Sequence, residues 1–161
     1  MRLYFAYGSN MAPGAMAQRC PGACIVGAAM LANHDFAIVR GGHGTVRKRP
    51  GARVHGVLWR LGRGDEAALD LYEEVERGLY RREERVVRVA SRAVTALVYI
   101  AASRASGRPR DAYLAAIIAA AREFGFPDDY VAALAAIART SSGERPDWRS
   151  ARKVSDRSRL A

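Results

Sequence analysis

Apolar and polar positions along the chain change period several times, and each change marks an element. Residues 3–7 form a short apolar and aromatic run, Leu3-Tyr4-Phe5-Ala6-Tyr7, suited to a pleated, packed strand. It breaks abruptly at Gly8-Ser9-Asn10, residues of turns and helix starts, and residues 12–19 then predict a short helix. Residues 23–31 and 35–40 predict two strands separated by a turn at Asn33-His34. Gly41-Gly42-His43-Gly44 opens an irregular connection, and the polar Arg47-Lys48-Arg49-Pro50-Gly51 predicts a surface loop that either borders a pocket or merely links strands. Residues 54–61 predict a strand, followed by a helix over 65–74 with acidic residues in its first turn, where the helix dipole favours them. Strands over 80–89 and 93–101 are separated only by Ala90-Ser91-Arg92 and so predict an antiparallel hairpin. Alanines and isoleucines at helical spacing over 109–124 predict a helix closed by Gly125, and Pro127 opens another that reaches 139. Strands arrive in runs joined by short turns, without regular strand-helix alternation, so the class is α+β with an antiparallel or mixed sheet.

Length and composition narrow this picture. A chain of 161 residues is the size of one domain with its own core; residues 1–140 are assigned to it and residues 141–161 to a basic, polar tail. No apolar run approaches the roughly 18 residues that span a bilayer, and no basic region precedes a long apolar one at the start, so a cytoplasmic protein without a membrane partner is expected. Cys20 and Cys24 are the only cysteines, and His34, His43 and His55 are scattered, which does not supply the four ligands of a structural zinc site. Ordinary packing is the reading for both cysteines, with a redox or metal role as the alternative.

The net charge of +10 raises nucleic acid as a partner. Basic and acidic residues are interleaved over 73–88, as on a solvated, ion-paired surface. The excess gathers at Arg47-Lys48-Arg49 and Arg53 and again over 145–159, where Trp148 alone offers a ring to stack on bases, so a nucleic-acid role is not expected. The glycines at 41–44 are followed by no Lys-Ser/Thr pair, which argues against a phosphate loop.

Two places carry candidate chemistry. A strand, the Gly8 turn and a helix start aim several backbone N–H groups at one point, a geometry suited to a carboxylate or an oxyanion; the same residues also make a plain tight turn. Glu73, read alone, is an ordinary exposed helical glutamate beside Glu74.

Tyr7-Gly8-Ser9-Asn10 resembles the opening motif of the γ-glutamylcyclotransferase family. The resemblance continues through His55-Gly56-Val57-Leu58-Trp59, through Leu69-Asp70-Leu71-Tyr72-Glu73-Glu74-Val75-Glu76-Arg77-Gly78-Leu79-Tyr80, and near Gly125-Phe126-Pro127-Asp128-Asp129-Tyr130, covering roughly residues 2–140. It implies a small, partly closed, mostly antiparallel β-barrel with packed helices and a pocket at the barrel mouth. It also implies a cofactor-free and metal-free enzyme of acyl-transfer or lyase type acting on a small γ-glutamyl substrate. In that reaction the substrate's α-amine attacks its own side-chain carbonyl, leaving 5-oxoproline and releasing an amine or amino acid, so that positioning, a base and oxyanion donors suffice.

By the same resemblance Glu73 matches the acid/base, with Leu69, Leu71, Tyr72 and Val75 able to shield it while Glu74, Glu76 and Arg77 face water. Tyr7, Gly8, Ser9 and Asn10 bind the γ-carbonyl or carboxylate, and Tyr80 and Tyr130 either line the pocket or serve as core aromatics. Arg40 and Arg47 are candidates for attracting substrate carboxylates. Met11 replaces a frequent leucine, the segment 41–53 is shorter than in many relatives, and the tail has no counterpart. The leaving group therefore stays open among glutathione, γ-glutamyl amino acids, γ-glutamylamines and an antibiotic-biosynthesis intermediate. Two other readings stand beside this one: a catalytically silent binding or interaction module of the same fold, and a basic nucleic-acid-binding protein. The oligomeric state is not set by the sequence.

Overall fold

In the computed structural model, which describes residues 1–141, the first apolar run forms β1 (Leu3–Ala6). A single 3-10 turn (Ser9–Met11) leads from it into α1 (Pro13–Arg19). Two long strands follow, β2 (Cys24–Ile38) and β3 (Gly44–Arg60), then α2 (Asp65–Tyr72), the hairpin of β4 (Tyr80–Val89) and β5 (Arg92–Ala101), α3 (Asp111–Glu123) and α4 (Asp128–Ser141). The strands close into a barrel in the order β1-β3-β2-β4-β5. Pairings are antiparallel except β1 with β5, which run parallel at Tyr4↔Leu97. The expected mixed, mostly antiparallel barrel with packed helices is the fold observed.

Strand alternation sorts the core into two layers. Phe5, Leu58, Val87, Val98 and Ile100 come from the strands alone and fill the barrel interior. Their neighbours Tyr4, Val57, Trp59, Leu97 and Tyr99 point outward and are covered by Met16, Leu69, Ile117 and Leu134 of the four helices. Each fully buried side chain of this size contributes roughly 1.5–3 kcal/mol, so both layers stabilise the closed form.

Two sequence expectations are corrected here. The turn expected at Asn33-His34 and the loop expected over 47–51 both lie inside the continuous β2–β3 ribbon. Registry jumps from Ala32↔Arg53 to His34↔Lys48, so the turn-forming residues bend the ribbon instead of ending it. Asn33 and Gly51 take left-handed backbone angles (φ 58° and 79°), and the Gly51 N–H donates to Asn33 Oδ1 at 3.0 Å.

The late helices follow expectation: Gly125 (φ 66°) ends the α3 segment, and α4 begins just after Pro127. The basic tail, beyond Ser141, lies outside the described residues. Cys20 is buried in the helix-side core with its Sγ 3.6 Å from the Asp65 carbonyl oxygen, and burial pushes its thiol up to about 11; Cys24 is exposed. Among the described residues no helix is long and apolar enough to cross a membrane.

Candidate active site

The end of β1 meets the starts of β3 and β4, the end of β5 and the C-terminus of α2 around a cavity of about 210 Å³. Tyr7, Gly8, Ser9, Asn10, Glu73 and Tyr80 line it together with Tyr4, Tyr72, Tyr99 and Tyr113. Because Tyr4, Tyr80 and Tyr99 belong to the helix-side layer, this pocket sits at the barrel rim under the helices rather than in the lumen.

Glu73 is the capping residue at the end of α2, one step beyond the helix itself. Its N–H donates to the Leu69 carbonyl at 2.8 Å, and Glu74 then takes a left-handed angle (φ 50°) that turns the chain away. Burial raises the Glu73 carboxyl to about 7, against an opposing pull from Arg19. The shielding differs from the expected one. Leu71 is 81% exposed and protects nothing, whereas the tyrosines of the barrel rim close the site.

The Tyr7–Asn10 loop holds this carboxyl directly. Asn10 is buried, and its Nδ2 donates to Glu73 Oε1 at 3.3 Å and to the Tyr4 hydroxyl at 3.0 Å. The Arg19 guanidinium donates to Asn10 Oδ1, which orients the amide with its NH2 toward Glu73, and stacks 3.7 Å over the Tyr72 ring. Ser9 Oγ lies 3.4 Å from the Tyr72 hydroxyl. Gly44 is pinned from both sides: its N–H donates to the Tyr113 hydroxyl at 2.9 Å and its carbonyl accepts from Tyr80 at 2.7 Å. Tyr7 donates to the Tyr99 carbonyl, and Tyr99 donates to Asp70 Oδ1 at 2.7 Å. Burial pushes Tyr7, Tyr80 and Tyr99 well up and Tyr113 to about 12, so each hydroxyl stays protonated at neutral pH.

Six of the seven site residues named from sequence thus meet in one pocket. Tyr130 does not. Its hydroxyl reaches the His55 carbonyl at 3.4 Å and its ring packs edge-on against His55 and Phe126, so it is a packing residue of α4 with its polar end satisfied. Arg40 and Arg47 do not line the pocket either; the cation beside it is Arg19. Arg19, Tyr4, Tyr99 and Tyr113 were missed. Tyr4 could have been found, since it shares a strand with the loop; the others reach the pocket only through tertiary packing.

Arg19 and burial oppose one another at Glu73, which sets a measurable expectation. Replacing Arg19 with Met removes the lowering influence, so the Glu73 carboxyl resonance, followed by carbon NMR, titrates at a higher pH than in the parent, whose midpoint is expected near 7. An unchanged midpoint overturns the assigned influence of Arg19.

Known proteins resemble this chain in sequence and fold. A family model described as the AIG2-like family matches residues 53–134. The chain is 32% identical over 148 residues to gamma-glutamylcyclotransferase of Mus musculus, covering 84% of this chain and 78% of that one. It is 32% identical over 146 residues to the Homo sapiens protein of the same name, with the same coverage of each. A solved structure named gamma-glutamyl cyclotransferase superposes with a TM-score of 0.79 at 28% identity, over 84% of this chain and 86% of that one. Sequence identity across most of both chains, the shared barrel and the continuous AIG2-like match place this protein in the γ-glutamylcyclotransferase family.

Proposed function

We propose that the protein cyclises a γ-glutamyl amide or dipeptide to 5-oxoproline and releases an amine or amino acid. The observation that carries this is the Glu73 carboxyl, raised to about 7 and tied to the Tyr7–Asn10 loop through Asn10 inside a tyrosine-lined pocket. A carboxyl near neutrality both accepts and returns a proton at working pH.

The steps follow from that. Glu73 as carboxylate takes a proton from the substrate's α-ammonium. The freed amine nitrogen attacks the γ-carbonyl carbon and closes the five-membered ring. Backbone N–H groups of the Gly8–Asn10 turn and the hydroxyl of Tyr113, which accepts from the Gly44 N–H and so keeps its own proton to donate, stabilise the oxyanion. Its collapse breaks the original amide C–N bond as Glu73 delivers the proton to the departing nitrogen, and the carboxylate so regenerated takes the second proton from the ring nitrogen, leaving the lactam N–H. Holding amine and carbonyl together supplies much of the acceleration, because the reaction is intramolecular.

The cavity lies below the roughly 300 Å³ at which drug-sized pockets begin, so it suits the glutamyl moiety and leaves the departing group near the exposed rim at Tyr72 and Leu79. The test is 5-oxoproline release from a panel of γ-glutamyl amides, γ-glutamyl dipeptides and glutathione. Release identifies both reaction and leaving group; saturable binding of the panel without release supports the silent-module reading instead.

A further inference from the structure

A second cavity, of about 610 Å³, lies at the same end of the barrel and shares no lining residue with the Glu73 pocket. Strand alternation separates the two. Tyr80 faces the helices, whereas Arg81, Glu83 and Arg85 lie on the opposite face of β4, the face that carries Val87 into the barrel interior; Ile100 enters from β5 on the same side. Strands β2 and β4 pair only at Ala29↔Val89 and Met30↔Arg88, so beyond that point the seam between them opens and exposes this end of the lumen.

The wall is strongly cationic. Arg47, Lys48, Arg81, Arg85 and Arg104 line it against one carboxylate, Glu83. Glu83 accepts from both Arg81 and Arg85, so its charge is offset and the two guanidinium groups are held side by side. Among the described residues Arg47, Lys48 and Arg104 have no carboxylate within ion-pairing distance, and Arg47 instead donates to the Arg104 carbonyl at 3.0 Å. His34 adds an independent sign. It is 8% exposed, its Nδ1 donates to the Ala32 carbonyl at 2.8 Å, and its Nε2 is buried without a partner. With the proton on Nδ1, the neutral ring leaves Nε2 as an acceptor waiting for a hydroxyl.

Like charges gathered in one concavity repel one another, and an unpaired buried acceptor is costly; one ligand relieves both. We propose that this barrel mouth binds a phosphorylated, hydroxyl-bearing small molecule, its phosphate oxygens taken by the arginines and Lys48 and its hydroxyl by His34. Arginine forks match phosphate oxygens in bidentate fashion, which favours phosphate over a simple carboxylate. Among the described residues the wall carries no Phe, Tyr or Trp on which bases could stack, which favours a small molecule over single-stranded nucleic acid.

Titration calorimetry with inorganic pyrophosphate and with ribose 5-phosphate, near physiological ionic strength, tests this. One saturable site is expected, with a dissociation constant on the order of 100 µM or tighter for pyrophosphate. Removing the exposed Lys48 and Arg104 side chains together by Ala substitution weakens it tenfold or more, while the charge-keeping Lys48→Arg protein stays within about threefold of the parent. His34→Phe weakens ribose 5-phosphate but not pyrophosphate. Glu73→Gln binds like the parent, because the two cavities are distinct. Absence of a saturable heat, affinity indifferent to the Lys48 and Arg104 substitutions, or an RNA oligonucleotide binding where pyrophosphate does not, overturns the proposal.

Discussion

Glu73→Gln protein is expected to fold, to bind γ-glutamyl substrate and to lose turnover by about 10²–10⁴-fold, the range assigned to a positioned acid/base. Gln keeps an oxygen to accept from Asn10 Nδ2, so the loop stays in place and only proton transfer is lost. The loss therefore falls on kcat, with KM little changed. A variant that turns over as fast as the parent removes Glu73 from the mechanism.

The same substitution has a stability signature independent of any substrate. Burial raises the folded-state carboxyl to about 7 from 4.5, so between those values the native state holds the proton more tightly than the unfolded chain. Parent stability from this group accordingly falls as pH rises from about 4.5 through 7 and is level beyond. Below 4.5 both states are protonated and this stability stands at its full, pH-independent level. Glu73→Gln is always neutral, so its advantage over the parent grows across this window to at most about 3 kcal/mol above pH 8. Denaturant melts of both proteins at pH 4, 6 and 8 check the trend; a gap that is constant with pH contradicts the raised value.

Gly56→Ala is expected to open the barrel. Gly56 sits on β3 beneath the Phe5 ring, and an added Cβ would collide with the Ala6 carbonyl oxygen and come within 2.6 Å of Phe5 Cζ. A side chain can turn aside; the backbone of β1 cannot, because Ala6 is paired to Val57 in the register that holds β1 in the barrel. Overpacking costs typically 1–3 kcal/mol when side chains can adjust, and about 3 kcal/mol or more is expected here. For a chain of this size that lowers the melting temperature by roughly 6–12 °C. Trimming Phe5 to Leu in the same protein relieves the ring contact alone and restores only part of the loss. A Gly56→Ala protein that melts with the parent shows that β1 moves freely, contrary to the packing described.

The damage extends to the pocket, because β1 leads straight into Tyr7–Asn10. A shifted β1 moves Asn10 relative to Glu73, so this variant loses activity together with stability, whereas Glu73→Gln loses activity alone. The two substitutions together separate the chemistry from the scaffold that positions it.

Local chemistry wrote much of this protein into the chain. The apolar run before Gly8, the hairpin around Ala90-Ser91-Arg92 and the helices bounded by Gly125 and Pro127 all stand where neighbour-to-neighbour patterning puts them. The loop and Glu73 were legible as a motif, because their order and spacing along the chain are enough to mark the family. Three things were decided only by folding. Turn-forming residues at Asn33 and Gly51 bend one long ribbon, since pairing across β2 and β3 outweighs the local preference to stop. Tyr130 faces His55 and not the pocket, because the docking of α4 on the barrel sets its direction. Arg19, Tyr99 and Tyr113 reach the rim from three separate elements, and the neutral-range acidity of Glu73 arises from burial, which Arg19 opposes. Burial and electrostatic environment are sums over neighbours distant in sequence, so the chain specifies the carboxyl, while its proton affinity belongs to the folded barrel.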